Sequence, residues 1–430
     1  MSRKSYAIIG GGIIGSAIAR AIGLDDLGDV VVLEKENELG KHQSGRNSGV
    51  LHSGVVQAYL ASDVNSLKVK MCVEGSRKAK RFCGEYNVAF QECGTLFLAR
   101  SEEEKKELEV MLFRGDVAGI EGLKMLSNYE LACKEPALDN GYETTALFAP
   151  SGAIVDSAGF LKAIANDAEC LGVKYVFDFP VARIEKNTGG FALYSKNEHE
   201  VFVDHIINAA GLYADKIAHM MGTGLEFEVI PFRGEYMEVS GLKIRSMAYH
   251  VPDKRFPFLG VHLTPTIDGK VIAGPTAALS FGRESYNGEF DWKETKEMLH
   301  TQNFWRMALN PGMIGLYFKN RKISKSERAF LREIQVMAPA VERQDISPCR
   351  SGIRAQIVDR KGKMCNDFIV DFQPNSTHIL NAVSPGMTCA LPFAEYVVAG
   401  IKFYGKERRV PSPKELFERM YFSGSFPVVG

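Results

Sequence analysis

The sequence predicts an α/β protein, a Rossmann-like nucleotide-binding domain interleaved with a second, α+β domain. Three observations predict it. Strand-like and helix-like patterns alternate along the 430 residues, with no internal repeat or low-complexity tract. Residues 6–15, YAIIGGGIIG, join an apolar run to a glycine-rich turn and then to a helical pattern. Three separated segments, 1–84, 150–222 and 346–402, read as pieces of one domain. The intervening 85–149 and 223–345 carry longer strands and amphipathic helices and read as a second, substrate-handling domain, with 403–430 as a C-terminal tail.

The elements follow in order. Tyr6–Ile9 is a short buried strand, and Ile13–Leu24 has helical spacing. Between them, Gly10 permits a tight turn, Gly12 lets a pyrophosphate approach the backbone, and Gly15 lets helix and strand pack closely. The helix N-terminus offers N–H groups and the positive end of its dipole to phosphate. A second strand, Val30–Leu33, delivers Glu34 about 20 residues further on, where an acid is expected on ribose hydroxyls. A helix is expected from Phe160 to Leu171, a strand from Lys174 to Phe177, and another from Val203 to Asn208 leading into Ala209-Ala210-Gly211. Capping pairs mark helix starts at Ser101 with Glu104, Asp291 with Glu294, Ser324 with Glu327, and Ser412 with Glu415, the last with Pro413 at the first helical position.

Composition narrows the function. Lys plus Arg and Asp plus Glu are both 52, so the net charge is zero, which argues against nucleic acid as a bulk partner. Hydrophobic residues make up 45% of the chain and its mean hydropathy is −0.10, as in ordinary globular proteins. No apolar run is long enough to span a bilayer. A strand beginning near residue 6 leaves no room for a signal peptide, so the expected location is cytoplasmic. The eight cysteines form no CxxC pair and do not cluster with histidine, so no metal is expected and thiols are.

The glycine unit serves both nicotinamide and flavin dinucleotides. Three further features favour FAD. The loop His42-Gln43-Ser44-Gly45-Arg46-Asn47-Ser48-Gly49 is small, polar and basic, suited to a ribityl diphosphate. Ile207–Gly211 is a strand running into a small-residue turn. Ser384-Pro385-Gly386-Met387-Thr388 opens a helix whose positive end suits the negative edge of a reduced flavin. Taken singly, each also reads as a surface turn.

Longer stretches sharpen this. HQSGRNSGVLHSG (42–54), RGEYMEV (233–239), VPDKRFPFLGVHLTPTIDGKVIAGPTA (251–277), RSGIRAQIVDRKGK (350–363) and NAVSPGMTCALPFAEYVV (381–398) resemble, in the same order, the FAD-dependent D-amino-acid oxidase/glycerol-3-phosphate dehydrogenase superfamily. Within it they resemble the L-2-hydroxyglutarate dehydrogenase (oxidase) family. The resemblance departs at 55–70 and 384–395. It implies bound FAD, oxidation of a small L-2-hydroxy acid to the 2-oxo acid, and electron transfer onward to a quinone or to oxygen. The expected FAD contacts are Gly10, Gly12, Ile13, Gly15, Glu34 and Lys35, then Ser44, Gly45, Arg46, Asn47 and Ser48. Val181, Ala210 and Gly211 follow, and then Arg354, Pro385, Gly386, Met387 and Thr388.

Such an oxidation needs a carboxylate clamp and a base for the hydroxyl proton. Arg354 offers a planar fork for a carboxylate, and its place in Ser351-Gly352-Ile353-Arg354 resembles the superfamily's substrate-anchoring arginine. The alternative is a structural pair with Asp359 or Glu342. His52 and His262 compete as base, His262 in an expected strand from Phe258 to Thr264; each also reads as a hydrogen-bonded core residue, and His52 also as a covalent flavin link. A second contact to a dicarboxylate would come from Arg233, Tyr236, Tyr249, Lys254 or Arg255, although Glu235 is a ready partner for Arg233. Residues 311–328, PGMIGLYFKNRKISKSER, set apolar side chains beside a basic cluster. They suit peripheral contact with the inner face of a cell membrane, or else form a solvated basic loop.

Overall fold

A computed structural model of the chain describes residues 3–138, 144–254, 259–382, 384–407 and 409–422. The chain forms two compact units. One comprises the chain up to Gly45, Ala158–Val229 and the chain from Cys365; the other comprises Arg46–Ser157 and Ile230–Met364. Residues 46–84 and 346–364, expected with the nucleotide-binding half, lie in the second unit.

The first unit is built on a six-stranded sheet. In spatial order its strands are Ile369–Gln373, Ser376–Asn381, His205–Asn208, Ser5–Ile9, Asp29–Leu33 and Lys174–Val176. All neighbours are parallel except the first two, which form a hairpin. The central Ser5–Ile9 strand is buried and apolar, as a parallel strand covered on both faces must be. The first helix is Ile13–Leu24. The expected Val203–Asn208 strand is two strands, Glu200–Val203 and His205–Asn208. The break falls at Asp204, whose carboxylate accepts from the Ser5 N–H (2.7 Å) and hydroxyl (2.8 Å). An antiparallel sheet of Val181–Asn187, Gly190–Ser195 and Glu200–Val203 completes the unit.

The second unit carries a nine-stranded sheet among the described residues. Its two faces pack on different helices. Leu96, Leu98 and Leu263 face a core with Phe330 and Ile334 from the Glu327–Gln335 helix. Phe97, Ala99 and Tyr249 face the other way, with Leu108 and Met111 from the Glu102–Val117 helix. This is the alternation expected of strands buried on both sides.

Three of the four capping expectations place the cap. Ser101 accepts from Glu104 N, Asp291 from Glu294 N and Ser412 from Glu415 N. The fourth is corrected. Ser324 lies inside the Pro311–Lys325 helix and donates its hydroxyl to Thr276, while Ser326 caps the next helix by accepting from Ala329 N. The stretch read as a basic loop is thus helical. Asn310 caps it and Pro311 opens it, a position that needs no N–H.

Candidate functional site

In the first unit the glycine turn makes a cradle from backbone. Gly10 has φ +105°, and a Cβ there would lie 2.6 Å from the Ala209 carbonyl oxygen, so the Ala209-Ala210-Gly211 turn rests directly on it. A Cβ on Gly15 would lie 2.0 Å from the Gly10 carbonyl oxygen, so only glycine lets the helix start against the turn. Gly12 is different. It sits at the N-cap with no side-chain cap, and its Cβ would meet Ser44 Oγ alone, at 3.0 Å. The space in front of the helix N-terminus is therefore open to a phosphate.

Glu34 is buried at the end of its strand. It accepts from Gly11 N (2.8 Å) through Oε2 and from Glu36 N (3.0 Å) through Oε1. Each carboxylate oxygen keeps a further lone pair for a ribose hydroxyl. Ser44 Oγ accepts from Ile13 N at 2.9 Å, tying the polar loop to the helix start. Gly45 approaches Gly40 so closely that a Cβ would lie 2.1 Å from its carbonyl oxygen. Lys35 pairs with Glu36, and His42 Nε2 lies 2.9 Å from the same carboxylate; the Lys35 hydrogen bond, with that of His42, holds Glu36 below the ordinary carboxylate range.

Val181 opens its strand opposite Ser195 and, with Ala210, packs on the unit's core. Gly211 has φ +55° and begins a short helical turn. Pro385 precedes the Gly386–Glu407 helix and accepts from Cys389 N. Met387 is half-buried and Thr388 buried in its first turn, and nothing lies within 4 Å of a Cβ on Gly386. That open helix start, the Gly12 cradle and the Glu34 carboxylate together fit a dinucleotide.

In the second unit, strand register assembles a row of side chains. Phe97 pairs with Tyr249 on neighbouring parallel strands. Tyr249 stacks on His262 with ring centres 4.2 Å apart and planes 11° from parallel. His262 pairs with Gly274 on the next strand. A Cβ on Gly274 would lie 3.0 Å from Tyr236 Cδ1 and 2.7 Å from the Glu235 carbonyl oxygen. Glycine at this point of the Val271–Gly274 strand, which lies between the His262 and Tyr236 strands, leaves no side chain between the two residues.

His262 Nδ1 lies 3.1 Å from the Gly260 carbonyl oxygen. A carbonyl only accepts, so Nδ1 carries the proton and Nε2 the lone pair. Burial, helped by nearby His52 and His250, holds the ring down to about 4 despite that bond. His52 follows the Val50–Leu51 strand, and burial together with the Lys68 cation pulls it to about 4 as well. Both rings are neutral at pH 7. The strand expected from Phe258 begins, among the described residues, at His262; Phe258 itself lies outside them.

Arg354 lies on the Ile346–Val358 strand, which pairs with the Tyr236 strand. Burial pulls its guanidinium down to about 10, which leaves it cationic at neutral pH. Its two alternative partners are engaged locally. Asp359 accepts from Lys361 and Lys363 N, and Glu342 from Gln344. Two residues earlier, a Cβ on Gly352 would lie 2.4 Å from the Arg46 carbonyl oxygen, and the Arg46 guanidinium stands 4.1 Å over the Tyr286 ring. Asn47 accepts from Gly49 N at 2.8 Å, and Ser48 hydrogen-bonds Tyr236.

The candidates for a second carboxylate contact sort themselves. Arg233 pairs with Glu235 at 2.7 Å and Lys254 with Glu107 at 2.8 Å. Arg255 lies outside the described residues. Tyr236 and Tyr249 remain, flanking His262 and Gly274. Burial pushes the Tyr236 hydroxyl up to about 12, against the pull of Arg350 and Ser48, and raises Tyr249 further. The Tyr249 hydroxyl is buried without a hydrogen-bond partner among the described residues. Such a group costs about 1–3 kcal/mol unless something pairs with it. Sequence reasoning missed the row itself, because Phe97, Tyr249, Gly274 and Tyr236 meet only through register.

A family described as FAD dependent oxidoreductase (DAO) matches residues 5–399. L-2-hydroxyglutarate dehydrogenase of Salmonella houtenae is 33% identical over 403 residues, 92% of this chain and 93% of the relative. That of Indibacter alkaliphilus is 36% identical over 391 residues, 89% and 95% of the two chains. Among solved structures, L-alpha-glycerophosphate oxidase of Mycoplasma pneumoniae with FAD bound superposes with a TM-score of 0.74 at 25% identity, covering 94% and 95% of the two chains. With the dinucleotide cradle and the match running almost end to end, this chain belongs to the FAD-dependent oxidoreductase family, and FAD is its cofactor.

Proposed function

We propose that the chain oxidises L-2-hydroxyglutarate, or a closely similar small L-2-hydroxy acid, to the 2-oxo acid. Bound FAD supplies the two-electron acceptor. In this reading Arg354 grips the carboxylate next to the reacting carbon with its guanidinium fork, which fixes the hydroxyl near the histidines. His262 takes the hydroxyl proton on Nε2, its tautomer set by Gly260 and its ring plane by Tyr249. His52, neutral beside it, is the second candidate. The Tyr236 and Tyr249 hydroxyls receive the distal carboxylate and keep water from it. The observation that carries the proposal is the buried, neutral His262 with its lone pair on Nε2.

The electron acceptor that fits this reading is a quinone or oxygen. The proposed working place is the cytoplasmic side of the cell membrane, touched peripherally through 311–328; among the described residues no helix is long and apolar enough to cross it. Likeness to a glycerophosphate oxidase keeps one alternative, a glycerol 3-phosphate or amino-acid oxidase. Anaerobic addition of L-2-hydroxyglutarate, malate, lactate, glycerol 3-phosphate and D-amino acids separates them by which one bleaches the flavin absorption. Full bleaching by L-2-hydroxyglutarate is the expected result. Bleaching by glycerol 3-phosphate alone would overturn the proposal.

A further inference from the structure

The second unit holds a cavity of about 310 Å³ whose lining differs in chemistry from the Tyr249–His262 row. Its walls include Phe232, Phe304, Trp305, Met313, Ile314 and Phe318. The hydroxyl among its lining side chains, that of Tyr317, is engaged by the Arg321 guanidinium. The volume is at the lower end of the roughly 300–1,000 Å³ of small-molecule sites, but among the described residues the lining's polar side-chain groups are already engaged, the Trp305 indole N–H by the Leu299 carbonyl at 2.8 Å. This is a space for hydrocarbon.

Its surroundings say which hydrocarbon. The Thr301–Ser326 stretch contains Arg306, Lys319, Arg321, Lys322 and Lys325 and no acidic residue, in a chain of zero net charge. The same stretch exposes Leu309 (69%), Phe318 (64%), Trp305 (48%) and Ile314 (43%). Large apolar side chains are normally scattered singly on a surface. Here they gather on two consecutive helices, Gln302–Ala308 and Pro311–Lys325, and on Leu309 at the end of the first, in the stretch that carries these cations. Tryptophan, aliphatic tips and lysines in one short stretch form the pattern of a segment lying in a bilayer interface.

We propose that this cavity takes one acyl chain of an anionic phospholipid while the Pro311–Lys325 helix lies on the bilayer surface. The apolar rim enters the acyl boundary, and the basic side chains meet the headgroups. The inference rests on the peripheral membrane placement and adds a lipid-chain site to it.

The test uses the full-length holoenzyme with phosphatidylcholine vesicles, with and without phosphatidylglycerol. The chain has two tryptophans, so Trp292→Phe leaves Trp305 in the cavity wall as the single indole reporter. Sedimentation with phosphatidylglycerol vesicles is expected, weakened about 25-fold by the pair Lys322→Gln and Lys325→Gln, since each cation near an anionic surface contributes about fivefold. A nitroxide on the acyl chain should quench Trp305, and Ala308→Phe, which fills the cavity, should cut that quenching back to what insertion of the rim alone gives while vesicle binding and turnover with a soluble dye persist; quenching unchanged by Ala308→Phe would overturn the cavity assignment. Binding without acyl-chain quenching of Trp305 would overturn the cavity assignment and leave the membrane placement standing. No binding to either vesicle would remove both. A concentration-dependent dimer broken by Phe318→Asp, with no vesicle binding, would assign the face to a second copy of the chain.

Discussion

The two units prepare their ligands in different ways. The nucleotide half works with backbone and with missing side chains: Gly10, Gly12 and Gly15 stand within six residues of one another, and Glu34 arrives on the next strand of the same sheet. The site proposed in the other half draws on side chains that lie far apart in the chain, Phe97, Tyr236, Tyr249, His262 and Arg354, set in place by the register of neighbouring strands. A local backbone cradle tolerates change around it but not in it. A row assembled by register loses individual functions one side chain at a time. The difference predicts all-or-none effects in the first half and graded ones in the second.

The largest effect is therefore expected at Gly12. Its Cβ would meet Ser44 Oγ alone, so Gly12→Val should fold yet purify colourless, because the valine occupies the phosphate position. A yellow, fully loaded mutant would refute the cradle. Gly15→Val, pressed against the Gly10 carbonyl, should fail to fold, and the contrast between the two separates a ligand glycine from a packing glycine.

In the second half, His262→Ala should lower kcat about 10²–10⁴-fold, the usual range for a general base, with the flavin content unchanged. His52→Ala should do less; the reverse order would transfer the base to His52. The acid limb of kcat/KM should fall near pH 4, not near 6.5, because the base is depressed by burial. Arg354→Ala should cost about 10²–10³-fold in kcat/KM, as truncation of a buried charged contact does. Wild-type activity in that variant would remove the clamp.

Tyr249→Phe and Tyr236→Phe should each raise KM for the dicarboxylate about tenfold, the worth of one hydrogen bond to a charged group, with kcat kept. Oxidation of L-lactate, which lacks the distal carboxylate, should be unaffected by either change. Equal losses on both acids would mean that the tyrosines position His262 and do not read the substrate.

The smallest contrast concerns acid. The nucleotide half buries His205 and His378, held to about 3 and about 4 by desolvation, and the other half buries His52 and His262 at about 4. All four titrate near 6.5 when unfolded, so below that pH the unfolded chain binds protons first. Stability is full above about 6.5 and falls as the pH drops toward 4. Denaturant midpoints across this window should decline for both halves alike. A flat profile would show that these rings are not neutral in the folded protein.

The parts read from sequence and the parts missed have physical causes. The strand Tyr6–Ile9, the helix Ile13–Leu24 and the caps at Ser101, Asp291 and Ser412 are governed by contacts within a few residues, so their spacing is enough. Ser324 misled because its capping pattern was genuine but Ser326, two residues on, is where the Pro311–Lys325 helix ends. The 46–84 segment follows the glycine unit in sequence and reads with it, whereas its packing, through Val50, Val55 and Tyr59, joins the core of the second unit.

A dinucleotide cradle at Gly10–Gly15 with Glu34 is legible in the chain alone, because a phosphate cradle is made of adjacent backbone and its requirements are local. The same reading offers Arg354, His52 and His262 as candidates by residue type and motif. That Tyr249 stacks on His262, that Gly260 sets its tautomer, and that Arg233 pairs with Glu235 follow from the tertiary structure alone. Those outcomes depend on which strands become neighbours and on what burial does to charge, and neither is encoded within one stretch of chain.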